Sequence, residues 1–169
     1  VNERTESIKQ AKEKLEQSNE QLSQEIEERK KAHTARVEIE TRFRRAFENA
    51  PIGMALLDDE GVLFDANPAL IRMFWKDAKS LPEMAFSALV EDDDRERFDS
   101  EYQKLVDAER DSIDQNLNCE NSAGDELQTV VNVSPVRADT GEFLYSVLQV
   151  QDITESMKLT VQLEYQASY

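Results

Sequence analysis

The chain has 169 residues, of which 39% are hydrophobic and 33% are charged, and its formal net charge is −16. This composition predicts a soluble chain with one globular domain and an extension. No apolar run approaches the ~20 residues of a membrane span, so we expect no transmembrane helix and no direct membrane contact. The excess of acid disfavours nucleic acid and anionic membranes as partners, because phosphate binding requires a basic surface.

Two further observations concern the setting of the chain. Cys119 is the only cysteine, which excludes an intrachain disulfide and fits a reducing, cytoplasmic location. The first residue is Val1 and not Met, so we expect the chain to belong to a longer protein.

Residues 1–42 predict a long helix that dimerises. They carry ten acidic and nine basic residues, contain neither Gly nor Pro, and are rich in strong helix formers. Apolar residues recur every seven positions, which indicates a parallel two-stranded coiled coil in which a buried asparagine sets the register. The predicted dimer seam consists of Ile8, Leu15, Asn19, Leu22 and Ile26. The alternative is a solvated helix with a weak apolar stripe.

The incoming helix should end before Pro51, and a strand pattern follows. Residues 53–57 and 62–64 read as a hairpin around the turn at residues 58–61. Asn67 and Pro68 predict the N-cap and first residue of a helix. Residues 76–91 are irregular, with short helices expected near residues 81–90.

Asp92, Asp93 and Asp94 predict the start of another helix, where acids suit the positive end of the helix dipole. Alternating apolar residues then predict three strands, at residues 113–119, 127–133 and 143–151. An antiparallel sheet with its helices in the middle of the chain is an α+β arrangement.

Four stretches resemble PAS domains, in the order that this family shows. They are Phe47–Met54, Asn67–Leu70, Asp92–Arg95 and Asp152–Thr154. The resemblance covers residues 43–154 and implies a five-stranded antiparallel sheet with helices on one face and a small cavity between them. The chain then divides into a coiled-coil helix (1–42), a PAS domain (43–154) and the start of an output linker helix (155–169).

The C-terminal stub is similar to the lead-in of a second family. Residues 163–169 resemble the segment before GGDEF domains, which synthesise cyclic di-GMP. The resemblances imply a bacterial signalling protein in which this module controls a C-terminal effector domain in cis. A histidine kinase output is the alternative.

The sequence predicts a regulatory module without catalytic residues. The only histidine, His33, lies in the coiled coil, so the globular part has no Ser–His pair, and there is no glycine-rich phosphate loop. We predict no metal and no cofactor, with an unidentified small ligand as an option. The expected cavity lining is Met54, Leu56, Phe64, Ile71, Phe74, Phe98, Leu117, Val131 and Leu148. The alternative is that these side chains simply fill the core, so that the module transmits signals without a ligand.

Asp152 and Thr154 are the residues predicted to couple the sheet to the outgoing helix. Asp152 lies three residues before Glu155, which resembles a capping box at the helix start. The family resemblance makes the same triplet the hinge between sensor and output.

Overall fold

The computed structural model describes residues 1–76 and 81–168 of the chain. It forms two compact units, one from Val1 to Arg45 and the other from Ala46 onward. The helix α1 runs from Asn2 to Asn49 without a break and ends before Pro51, as predicted. At about 1.5 Å per residue, its 48 residues measure about 72 Å. Among the described residues, none of the helices combines the length and the apolar character that a membrane span requires.

The second unit is built on a five-stranded antiparallel sheet. The strands are β1 (Gly53–Leu57), β2 (Leu63–Ala66), β3 (Ile113–Glu120), β4 (Glu126–Arg137) and β5 (Phe143–Asp152). Their order in the sheet is β2-β1-β5-β4-β3, so the last strand in sequence occupies the centre. Gly124 and Gly141 have φ values of 81° and 88° in the turns on either side of β4. These turns need the left-handed conformation that glycine adopts without steric cost.

Three helical segments connect β2 to β3, and a fourth leaves the sheet. They are α2 (Pro68–Phe74), a short 3-10 helix (Phe86–Leu89), α3 (Asp92–Val106) and α4 (Thr154–Ala167). Asn67 caps α2 with Pro68 at its first position, and the acidic triplet occupies the first turn of α3, both as predicted. Part of the segment expected to be irregular, residues 77–80, lies outside the described residues.

Both ends of α3 are tied to the sheet. At its start, Asp94 Oδ2 accepts the backbone N–H of Asn118 at 2.9 Å. At its end, the Arg137 guanidinium donates to the carbonyls of Leu105 and Val106. A cation at this position stabilises the negative end of the helix dipole.

The core lies between one face of the sheet and the helices. Every second residue of the long strands contributes to it, as the alternation predicts. The innermost side chains are Leu57, Leu63, Leu70, Phe74, Phe86, Phe98, Leu105, Leu117, Val131 and Leu148. The predicted α+β fold, with a five-stranded antiparallel sheet and helices on one face, is confirmed.

Candidate signal-coupling site

The outgoing helix begins where β5 ends, and β4 holds the junction. Asp152 is the last residue of β5, and its Oδ1 accepts both the backbone N–H of Thr154 at 2.9 Å and the Thr154 hydroxyl at 2.5 Å. Gln128 of β4 donates its N–H to Thr154 Oγ1 at 3.0 Å and accepts the N–H of Ile153 at 2.8 Å. The two predicted coupling residues therefore meet, and β4 fixes the start of α4 through backbone groups.

The capping box predicted at this junction is wrong. The N-cap residue is Ile153, which makes no side-chain capping bond. Asp152 stands one residue earlier and bonds the N–H two residues ahead of it, which is the geometry of an Asx turn. The carboxylate still satisfies one of the free N–H groups at the helix start.

The incoming helix is fixed by Asn67. This side chain is fully buried and uses its whole hydrogen-bonding capacity. Its Nδ2 donates to the carbonyls of Phe47, in the last turn of α1, and Ile52, each at 3.0 Å. Its Oδ1 accepts the N–H of Met54 at 2.9 Å and of Leu70 at 3.0 Å.

Sequence reasoning identified Asn67 as a helix cap and missed the rest of this arrangement. The cap partner lies three residues away, whereas Phe47 lies 20 residues away and Met54 13. No sequence signal indicated that Asn67 is buried, and it is the burial that requires several partners for its amide.

Part of the predicted cavity lining lies on the wrong face of the sheet. Met54 and Leu56 alternate with Gly53, Ala55 and Leu57, and it is the latter set that faces the helices. The position predicted for Met54 and Leu56 is wrong, because the alternation of the strand puts them on the opposite face from Ala55 and Leu57, which belong to the core cluster.

Phe64 and Ile71 also lie outside the core. Phe64 is 54% exposed and packs edge-on against Tyr145 with a ring separation of 6.2 Å. Ile71 is half-buried on α2 and does not belong to the core cluster. Neither residue occupies the position that the cavity prediction gave it.

The remaining predicted lining residues share the core. They are Phe74, Phe98, Leu117, Val131 and Leu148, each at most 1% exposed. An aromatic series crosses this region, with ring separations of 6.3 Å for Phe74–Phe86, 5.2 Å for Phe86–Phe98 and 5.9 Å for Phe98–Tyr102. These rings occupy space between sheet and helices, while a ligand role for the five residues stays a prediction.

A buried polar pair joins α3 to the central strand. The Tyr102 hydroxyl lies 2.7 Å from Ser146 Oγ on β5 and donates to the carbonyl of Asp58 at 2.6 Å. Burial raises the pKa of Tyr102 to about 12, so the phenol keeps its proton at neutral pH. Sequence reasoning missed this pair because 44 residues separate its members.

Cys119 is a core residue, and its thiol lies 3.5 Å from Thr129 Oγ1. Burial raises the pKa of this thiol to about 11, so the thiol keeps its proton at neutral pH.

A pocket of about 620 Å³ lies at one edge of the helical layer. Its lining includes Trp75, Leu89, Glu91 and Glu120. Burial, and then the neighbouring carboxylates, raise the pKa of Glu91. In the described part of the chain, no group of His, Cys, Asp or Glu side chains is arranged to hold a metal ion.

The predicted dimer seam lies along the first unit. Its apolar members Ile8, Leu15, Leu22 and Ile26 are 70%, 62%, 53% and 52% exposed, and Asn19 is exposed among them. Phe47 is the only buried residue of α1.

Comparison with known proteins gives a family match, a relative in sequence and similar solved structures. The family model described as "PAS fold" matches residues 41–153. The probable diguanylate cyclase DgcE of Escherichia coli (strain K12) is 33% identical over 129 residues, which are 76% of this chain but only 12% of that protein.

Two solved structures share the fold. A PAS domain from Colwellia psychrerythraea has a TM-score of 0.62 at 15% identity and covers 69% of this chain and 98% of its own. A sensory box histidine kinase/response regulator from Burkholderia thailandensis E264 has a TM-score of 0.57 at 17% identity, with coverages of 75% and 95%.

Proposed function

This chain belongs to the PAS fold family, and we propose that it is a sensory and dimerisation module that relays a signal through its flanking helices to a C-terminal output domain. One observation carries the proposal: the central strand β5 passes directly into α4, and Asp152, Thr154 and Gln128 fix the junction. Because of these bonds, a shift of the sheet would also displace the start of the outgoing helix. The module itself carries no proposed catalytic role.

We propose cyclic di-GMP synthesis as the regulated output. The support is the 33% identity to a probable diguanylate cyclase. Because the chain spans 12% of that protein, the activity of the whole protein is transferred here only as a proposal. The alternative output is a histidine kinase. Either output implies a cytoplasmic location.

The dimer is proposed to form through the seam of α1. In a single chain the four apolar residues of this seam are more than half exposed, at seven- or four-residue spacings. A second copy would bury them as a coiled coil, and the parallel arrangement would place Asn19 opposite its counterpart. Light scattering at micromolar concentration should therefore report a dimer, and a monomer would contradict this part of the proposal.

A transmission module without a ligand is the second candidate. The aromatic series from Phe74 to Tyr102 favours it, because these rings fill space in which a ligand would lie. Native mass spectrometry and absorption spectroscopy of the purified chain distinguish the two. Added mass in the folded state indicates a ligand, a visible absorption band indicates a cofactor, and the absence of both indicates ligand-free transmission.

The relay itself is tested by joining the chain at residue 169 to a diguanylate cyclase domain and measuring cyclic di-GMP formed from GTP. Inserting one to four alanines after Thr160 rotates the helix by about 100° per residue, and seven restore its heptad phase. We expect synthesis to vary with phase and to return with seven residues. Synthesis that is indifferent to phase would contradict the relay.

A further inference from the structure

We propose that Asn67 links the end of the incoming helix to the start of the outgoing helix by a short route of hydrogen bonds through the neighbouring ends of β1 and β5. The inference rests on the proposed relay function and names the residues that would carry it. The route begins at the Phe47 carbonyl in the last turn of α1 and reaches Asn67 Nδ2 at 3.0 Å. The route continues from Asn67 Oδ1, which accepts the N–H of Met54 at 2.9 Å.

The second half of the route is a β-ladder. Met54 pairs with Gln149, and Gly53 pairs with Val150, in the antiparallel register of β1 and β5. Val150 is two residues before Asp152, which holds the start of α4. The end of α1 and the start of α4 are therefore connected by one side chain and two neighbouring strand ends.

The connection is held rigidly at Asn67. Asn67 is 0% exposed, so no water replaces a bond that is lost. Its two donors and two acceptors are all used, which fixes one orientation of the amide. A Cβ on Gly53 would lie 2.7 Å from Leu70 Cδ1, so β1 and α2 are also in direct contact. A displacement of the Phe47 carbonyl therefore cannot be absorbed by solvent or by a void at this point.

The alternative route, through the core, requires the sheet to move against α3. That helix is held at both ends, by Asp94 and by Arg137. The route through Asn67 uses different groups: its bonds join Phe47 to Asn67 and Asn67 to Met54, and the pairing of β1 with β5 completes it. It predicts that the two flanking helices are coupled even when the core is filled.

The substitution Asn67→Asp cuts the route selectively. A carboxylate keeps both acceptor bonds, to Met54 and Leu70, and is a good N-cap. It loses the donors to Phe47 and Ile52 and faces their carbonyl oxygens with negative charge. Asn121→Asp is the matched control. Asn121 is also buried and accepts two N–H groups, and its substitution adds the same charge, but it lies in the β3–β4 turn.

The readout is amide hydrogen exchange of the full chain at the start of α4. The N–H of Ile153 bonds to Gln128, and that of Met157 bonds to Ile153. In Asn67→Asp we expect the exchange rates of these two amides to rise. The rise should be about tenfold larger than the loss of global stability accounts for, which is a factor typical of coupled sites. In Asn121→Asp they should follow global stability alone. Equal behaviour of the two variants would overturn the proposal.

A reciprocal measurement serves if Asn67→Asp does not fold, because coupling between two sites is mutual. Thr154→Val removes the hydroxyl that joins α4 to Gln128. It should speed exchange of the Asn67 side-chain amide protons, whereas Thr160→Val, whose hydroxyl bonds Ser156 within α4, should not. Unchanged Asn67 exchange in both variants would refute the link. This readout does not involve cyclic di-GMP. The link through Asn67 can therefore fail while the relay to an output domain stands, and the relay can fail while the link stands.

Discussion

Replacing Tyr102 by phenylalanine removes one oxygen atom from the interior of the globular unit. The hydroxyl has a single hydrogen, which goes to the carbonyl of Asp58 at 2.6 Å. The bond of 2.7 Å to Ser146 must therefore be donated by the serine. The substitution leaves the Ser146 hydroxyl without an acceptor at a position that is 0% exposed.

The cost follows from what each partner retains. The Asp58 carbonyl still accepts the N–H of Gly61 at 3.1 Å, so its loss is small. The stranded serine donor costs about 1–3 kcal/mol, and we expect the free energy of unfolding of Tyr102→Phe to fall by about 2 kcal/mol. Ser146→Ala leaves Tyr102 bonded to Asp58 and should cost about 1 kcal/mol.

A double-mutant cycle in urea, at one protein concentration because a dimer is expected, measures the pair. The double variant Tyr102→Phe/Ser146→Ala has no stranded donor, so it should be more stable than the sum of the single losses predicts, by about 1 kcal/mol. Additivity within about 0.5 kcal/mol would refute this account of the buried pair.

Four further outcomes are expected. Burial raises the pKa of Tyr102 from 10.0 to about 12, so the unfolded chain loses this proton first as the pH rises. The stability contributed by the neutral phenol is therefore intact below pH 10 and falls between pH 10 and 12. Tyr102→Phe should flatten that fall in urea titrations. Asn19→Ile should raise the thermal midpoint and loosen register, and an unchanged midpoint and oligomer state would contradict the heptad assignment. Gly53→Ala should cost about 1–3 kcal/mol in urea, because its Cβ would lie 3.2 Å from Leu70 Cα as well as against the side chain; a neutral effect would show that α2 yields. Cys119 should react with thiol reagents only on unfolding, and rapid labelling of the folded chain would contradict its burial.

Much of the candidate site could be located from sequence, but only where its signal was local. Asp152 and Thr154 are two residues apart, and their contact needs no knowledge of the rest of the chain. The role of Gln128 did not follow, because 26 residues separate it from Thr154. The same limit hid three of the four partners of Asn67.

The cavity prediction failed at β1 and β2 for a different reason. Residues 53–57 are apolar on both faces, so alternation identifies two faces without telling which is buried. The register shifts between Leu56 and Leu57, which pair with Asp65 and Leu63 and leave Phe64 unpaired. Such an irregularity changes which side chains point inward, and no pattern within the strand announces it.

The sequence by itself determined the order of the elements, the α+β class, the Asn67 cap and the turns, because the signals for them lie within a few positions of one another. The tertiary structure alone decided which face of β1 is buried, what Asn67 and Tyr102 bind, and that β5 lies at the centre of the sheet. Those outcomes depend on how distant segments pack: a Cβ on Gly53 would lie 2.7 Å from Leu70 Cδ1 of α2, and Ala55 and Leu57 of the same strand belong to the core cluster, which leaves Met54 and Leu56 on its other face.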